Sequence, residues 1–312
     1  MEKRNDSTCL LMLTASMVIY GTIGIFRRSI PLSSGLLACV RGFLGSAFLA
    51  AFVKLRGGTL RHGMARRDFK LLVLSGAMIG INWIFLFEAF NYTTVAAATL
   101  CYYMQPTIVI LLSPLLLNEK LTKKKLLCAA AAIAGMVLVT GLPAPAAGDA
   151  AGAVGAAGDA AGAVGAAGAA SGNLKGILFG LGAAALYAAV IITNKKLGPV
   201  DVYEKTILQL FFAAAVLIPY LIVTENFSAL QLTAKAAALL LVLGIVHTGI
   251  AYALYFGSMD GLRAQTIALF SYIDPVVALF LSALLLKEPL TPAGMIGAVL
   301  ILGSAVFSEL QL

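Results

Sequence analysis

The sequence predicts an all-α membrane protein of ten transmembrane helices, arranged as two inverted five-helix repeats. Three observations predict it. Hydrophobic residues make up 61% of the chain and charged residues 12%, with a mean hydropathy of +0.97; a soluble chain would have to hide more apolar surface than its core can hold. Ten segments reach the length of about 20 mostly apolar residues that a spanning helix needs. Finally, Leu115-Leu116-Leu117-Asn118-Glu119-Lys120-Leu121-Thr122 returns 169 positions later as Leu284-Leu285-Leu286-Lys287-Glu288-Pro289-Leu290-Thr291, with six of eight residues identical. At the same offset Gly80 answers to Gly249, Phe87 to Phe256, Tyr103 to Tyr272, Pro106 to Pro275 and Ser113 to Ser282.

The first segment, 9–28, follows Lys3-Arg4 and imitates a signal peptide. It is long enough to span and no small-residue cleavage site follows, so it is predicted as the first membrane helix. Segments 33–53, 69–90, 94–117 and 124–141 complete a first repeat over residues 1–141. Residues 142–172 are apolar by composition but predicted as a flexible external linker, not a span. Pro143 and Pro145 open it, and AAGDAAGAVG at 146–155 is copied without change at 156–165. Such glycine density is poor for a helix, and aspartate is poor in hydrocarbon. Segments 174–194, 203–224, 235–258, 262–286 and 292–309 form the second repeat, within residues 173–312.

Charge fixes the expected orientation. With a cytoplasmic N-terminus, sixteen Lys and Arg fall on the inner connections and five on the outer ones, with Arg41 inside a helix. Both termini are therefore expected in the cytoplasm. An odd number of helices per repeat inverts the second copy, and the charges agree: Lys120, Lys123, Lys124 and Lys125 lie in and after the first copy of the motif, whereas Pro289, Pro292, Ala293 and Gly294 stand at those positions in the second. The net charge of +8 is thus a topology signal and excludes a nucleic-acid partner.

These residues resemble the EamA-type branch of the drug/metabolite transporter superfamily, through the apolar-Glu-x-Leu-Thr signature in each repeat, Tyr272-Ile273-Asp274-Pro275 and the stretch Leu243–Tyr252. The resemblance covers nearly the whole chain outside 142–172. It implies a secondary transporter in a bacterial or archaeal plasma membrane, with a small-molecule substrate, the lipid bilayer and protons as partners, and a monomer or homodimer as its state. Proteins of this type export amino acids, amines, drugs or nucleotide derivatives, and some import choline-like compounds. Export of an amino-acid or amine class compound by alternating access is the expected function; import or facilitation with the same fold, and a lipid-binding scaffold without turnover, are the alternatives.

Depth in the membrane selects the candidate site. Gln105-Pro106 and Asp274-Pro275 hold the same position near the middle of the fourth and ninth spans. Each proline removes a backbone N–H and frees the carbonyl four residues earlier, that of Tyr102 or Ser271. Such carbonyls are tolerated in the bilayer only where protein or water meets them, so matched interruptions point to a central cavity. An ionised Asp274 must face the interior, where it serves as a substrate or proton site or pairs permanently with Arg41. His247 is a third ionisable candidate. Asn82, Trp83, Tyr103, Tyr252 and Tyr272, with Tyr20 and Tyr187, supply hydrogen bonds and aromatic faces suited to cations. Against them stands plain packing, as for the glycine pairs Gly76/Gly80 and Gly176/Gly180. Glu88 is expected as a solvated interfacial carboxylate, and Glu119 and Glu288 as structural groups at helix N-termini, with Thr122 and Thr291 as caps. Cys9, Cys39, Cys101 and Cys128 read as buried small hydrophobes. With no metal-ligand cluster, phosphate loop or nucleophile–histidine spacing, neither enzymatic activity nor a cofactor is expected.

Overall fold

The computed structural model describes residues 6–58, 65–116, 122–140, 160–227, 232–259, 262 and 264–309, and among them every regular element is helical. Helices α1 (Asp6–Gly21) and α2 (Ile23–Arg28) form one broken rod. The break falls at Thr22, whose Oγ1 donates to the Ile19 carbonyl. Then follow α3 (Ser34–Leu55), α4 (Arg66–Tyr92), α5 (Val95–Tyr102), α6 (Gln105–Leu116) and α7 (Lys123–Thr140). The second half holds α8 (Ala160–Asn194), α9 (Val202–Thr224), α10 (Ala234–Gly244), a π-helical turn (Ile245–Ile250) and α11 (Ala251–Met259). It ends with α12 (Ala264–Ser271), α13 (Ile273–Leu285) and α14 (Pro292–Glu309). Seven stretches are long and apolar enough to cross a membrane by length and composition, and Ile273–Leu285 and Pro292–Phe307 are shorter apolar helices.

One expectation needs correction. The helix expected from 174 begins at Ala160, inside the segment read as a flexible linker. Alanine, the best helix former, outnumbers glycine there and offsets its cost, and the downstream rod supplies a nucleus onto which those turns propagate. Residues 142–159 lie outside the described residues, as do Glu119 and the first copy of the motif from Leu117 to Leu121.

Helix starts follow side-chain caps. Ser33, Thr94 and Thr233 accept the N–H groups of Leu36, Ala97 and Ala236, and Asp201 accepts those of Tyr203 and Glu204. The expected caps are present: Thr122 accepts from Lys125 N–H and Thr291 from Gly294 N–H, with Pro292 at the first helical position.

Packing interleaves the halves. Helix α4 packs on α8 and α9, α3 on α9, α10 and the π-turn, α1 on α11, α12 and α13, α8 on α5 and α6, α5 on α13, and α7 on α14. Small residues set the closest approaches. A Cβ on Gly76 would stand 2.9 Å from the Gln209 carbonyl oxygen, and one on Gly80 would stand 2.4 Å from that of Ala213, so both glycines seat α4 on α9. Gly176 faces Thr93, Gly180 faces Cys101, and Gly135 and Gly297 face each other between α7 and α14. All four cysteines are free and buried. Leucine, isoleucine, valine and phenylalanine are exposed along the outer faces, among them Leu74, Leu111, Val216, Ile222, Phe280 and Leu284. In water such a surface would aggregate; against lipid it is the solvated one.

The two ends of the bundle are distinct. At one, Arg28 bonds the Thr93 carbonyl, Thr93 hydroxyl bonds Asn173, and Glu288 meets Val95, so the connections after α2, α4 and α13 and the start of the second half converge. At the other, Gly198 N–H reaches Asp68 at the start of α4.

Candidate functional site

Both interrupted spans break where the sequence places them. Helix α5 stops at Tyr102 and α6 starts at Gln105, while α12 stops at Ser271 and α13 starts at Ile273. Pro106 and Pro275 sit in the first turn of the second rod, where a missing N–H costs least. The carbonyl of Ser271, left free by Pro275, is met by protein: Tyr103 Oη lies 3.3 Å away. The same hydroxyl donates to Asp274 Oδ2 at 2.8 Å, so one phenol from the first half satisfies two acceptors of the second. Tyr272 packs against Tyr103 with ring centroids 6.2 Å apart, and Tyr102 contacts both Tyr103 and Tyr187.

Arg41 sits elsewhere in the interior. It is buried in α3, and its Nε donates to Thr248 Oγ1 at 2.7 Å. Its guanidinium lies 4.4 Å from the Trp83 ring centroid and 5.8 Å from that of Phe87. Aromatic faces and a hydroxyl, not a carboxylate, therefore receive this cation. The permanent Asp274–Arg41 pair weighed from the sequence is not formed; among the described residues the ion pair is Arg28–Glu288.

The π-turn positions the partner of Arg41. Thr248 Oγ1 also donates to Leu243 five residues back, and the extra residue per turn rotates Thr248 and His247 to different neighbours. Gly45 lets α3 approach, since a Cβ there would stand 2.3 Å from Thr248 Cγ2. His247 is buried, with Nε2 2.8 Å from Thr22 Oγ1 at the α1/α2 break and its ring edge against Phe26. Tyr20 packs edge-on to Tyr252, which stacks on Phe256.

Among the described residues, three interior oxygens have no hydrogen-bond partner: Tyr20 Oη, Asn82 Oδ1 and Gln105 Oε1. The amide nitrogen of Asn82 is used, donating to the Ala183 carbonyl at 2.5 Å and tying α4 to α8. A buried polar atom left unmade costs about 1–3 kcal/mol, so these three mark places that water or a polar ligand completes. Asp274, Tyr20, Tyr102, Tyr187, Tyr252 and Tyr272 are only half-buried. Asp274 bonds across the halves, to Tyr103.

The structure thus joins Tyr103, Tyr272 and Asp274 in one group and Arg41 and Trp83 in another, with Tyr252 beside Tyr20. His247 belongs to the α1/α2 break. Glu88 lies at the molecular edge, taking a long hydrogen bond from Asn91. Sequence reasoning did not single out the side chains of Thr22, Tyr102 or Thr248. Tyr102 carried a signal, as the tyrosine beside Tyr103 at a helix break. Thr248 carried none, because a π-turn leaves no mark in residue type.

Known proteins agree with this architecture. A family model described as the EamA-like transporter family matches residues 7–141 and 174–309. The chain is 27% identical over 281 residues to a Bacillus subtilis (strain 168) protein described as uncharacterized transporter YxxF, covering 90% of this chain and 82% of that one. It is 30% identical over 130 residues to uncharacterized transporter YvbV of the same organism, covering 41% and 43%. A crystal structure titled only as that of a protein superposes with a TM-score of 0.63 at 22% identity, covering 97% of this chain and 96% of the other, a likeness of fold alone.

Proposed function

The chain belongs to the EamA-like transporter family, and from that premise we propose that it is a secondary transporter exporting a small organic metabolite or drug of the amino-acid or amine class. Cargo binds between the halves, and the halves rock around it. The observation that carries this reading is the separation of two interior charges. Arg41 in the first half and Asp274 in the second each lack an ionic partner among the described residues; Thr248 and Trp83 hold the one and Tyr103 the other. A cation and a carboxylate held apart in a low-dielectric interior are costly unless cargo or protons complete them. Ammonium suits Asp274 and the tyrosine faces, and a carboxylate suits the guanidinium.

The ten-helix, inverted-repeat arrangement belongs to the same proposal. Its support is the exchange symmetry of the packing. Under the 169-residue offset, α4 on α8 becomes α11 on α1, and α5 and α6 on α8 become α12 and α13 on α1, and all these pairs occur. α3 on α9 and α7 on α14 exchange with themselves. A two-fold relation between halves produces this pattern.

Flux into proteoliposomes tests the function. Purified protein should move at least one member of a panel of amino acids and amines faster than protein-free vesicles, with the rate set by a pH gradient. Transport in the import direction alone would reverse the assigned direction. A protein that binds lipid and moves nothing in the panel would replace the transporter by a scaffold.

A further inference from the structure

We propose that Glu288 is a gating residue, whose bonds to Val95 and Arg28 hold the passage between the halves closed at one membrane face and break in each cycle. The inference rests on the transport reading above and goes beyond the site described there.

The geometry begins with the end of α13. Lys287 takes a left-handed conformation, φ +54°, which β-carbon crowding makes unfavourable for lysine. That turn ends the helix, returns Glu288 N–H to the Ser282 carbonyl, and leaves the Glu288 side chain directed across the boundary between halves. There both carboxylate oxygens receive Val95 N–H, at 3.1 and 2.9 Å, at the start of α5. Arg28 Nη2 lies 3.3 Å from Oε1 and donates to the Thr93 carbonyl at 2.6 Å. The Glu288 side chain is 9% exposed. The expected role, a carboxylate on a helix N-terminus, is therefore filled, but the helix is that of the opposite half.

What makes this a gate is the second end of the same two rods. Helix α5 runs from Val95 to Tyr102, with Tyr103 next, and α13 runs from Ile273 past Asp274 to Leu285. These helices pack together and are tied twice: at the surface by Glu288 to Val95, and in depth by Tyr103 to Asp274. A path from the Asp274 region to this face between α5 and α13 requires both ties to part. Cargo or a proton taking the Asp274 carboxylate competes with Tyr103 and releases the inner tie. Glu288 then carries the remaining restraint, and as a charge-assisted, solvent-edge contact it can exchange its partners for water. Glu119 holds the equivalent position in the first repeat.

Two measurements decide it. In the first, Val95→Cys/Glu288→Cys protein in proteoliposomes is bridged with a short bifunctional methanethiosulfonate. Flux should stop and return with dithiothreitol, while Val95→Cys and Glu288→Cys proteins treated alike each keep whatever flux they had before treatment. Undiminished flux in protein shown by mass spectrometry to be bridged overturns the gate. In the second, hydrogen exchange is compared between wild type and Glu288→Ala. Amides of α5 and α13 should exchange about tenfold faster with other helices unchanged, as expected when one charge-assisted hydrogen bond holding a local opening is removed. Unchanged exchange, or a rise spread over every helix, overturns it. Wild-type protein without flux for any cargo would refute the transport reading, and exchange alone then decides whether Glu288 restrains α5 and α13.

Discussion

Tyr103 of the first half donates its phenolic proton to Asp274 of the second at 2.8 Å. The carboxylate so held is the one that the sequence places at the centre of a span, and its partner is the residue related to Tyr272 by the internal repeat. A single neutral donor leaves most of the acceptor capacity of a carboxylate open. Asp274 is therefore anchored with acceptor capacity to spare, the condition a coupling or cargo-binding group needs.

Asp274→Asn is expected to fold and to lose function. Asparagine keeps the shape and still accepts from Tyr103, and no buried cation is stranded, because Arg41 is held by Thr248 and Trp83. The stability change should stay within about 1 kcal/mol, and Arg41→Leu added to it should bring no rescue, since unlinked sites add. Melting in detergent beside proteoliposome flux at several pH values measures both. Normal flux with normal pH dependence would remove Asp274 from the mechanism.

Tyr103→Phe removes one hydroxyl and leaves two acceptors, Asp274 Oδ2 and the Ser271 carbonyl, without that donor. A loss of about 1–3 kcal/mol follows if water does not replace it. Asp274→Ala and Tyr103→Phe together should cost less than the sum of the two single changes, because both remove the same bond. A double-mutant cycle on thermal melting reads the coupling, and strict additivity would show the contact to be idle.

Much of this arrangement was legible in the sequence, for identifiable reasons. Repeated Pro106 and Pro275 announce their breaks because proline cannot donate an N–H, and Thr291-Pro292 announces a helix start for the same reason. Gly76 and Gly80 announce close packing because nothing larger fits against the α9 backbone. The partner of Arg41 was not legible. Charge logic pointed to Asp274, whereas a π-turn delivers Thr248 and two aromatic faces, and the register of that turn depends on tertiary packing. Glu288 was legible as a capping group, but not the helix it caps, which only the crossing of the halves decides. The alanine-rich turns before Asn173 were misjudged by weighing glycine above alanine.

Gly80→Ala should destabilise the protein. A Cβ at this position stands 2.4 Å from the Ala213 carbonyl oxygen, a backbone atom that cannot rotate away. Separating α4 from α9 to admit it should cost about 1–3 kcal/mol, the usual penalty of overpacking. Gly303→Ala, with open space around it, is the control and should be silent. Equal melting temperatures for the two variants would mean that the α4–α9 contact is looser than described.

Orientation is testable at described positions. Phe227, between α9 and α10, is exposed, and positive-inside counting puts it outside the cell with Lys196 inside. Phe227→Cys should react with a membrane-impermeant maleimide in intact cells, and Lys196→Cys only after lysis. The four native cysteines are buried and serve as background. The opposite pattern would invert the molecule and turn the assigned direction of export with it.

Arg41→Lys separates charge from geometry. Lysine preserves the positive charge but offers a point charge on a flexible stem, without the planar face that stacks on Trp83 or the Nε that reaches Thr248. If Arg41 serves only as a buried cation, lysine should suffice. If it presents a fixed fork to the anionic end of cargo while Trp83 and Thr248 hold its plane, lysine should raise KM about tenfold or more with a smaller effect on kcat, as the loss of a bidentate contact requires. Thr248→Val keeps the side-chain shape and removes the Oγ1 that accepts from Arg41 and donates to the Leu243 carbonyl, so it should move KM in the same direction by less. Both variants leave the Tyr103–Asp274 bond untouched, so the pH dependence of flux should stay that of wild type. A KM unchanged in Arg41→Lys would assign the guanidinium to packing between α3, α4 and the π-turn, and leave the anionic end of cargo to Asn82, Gln105 and the tyrosines.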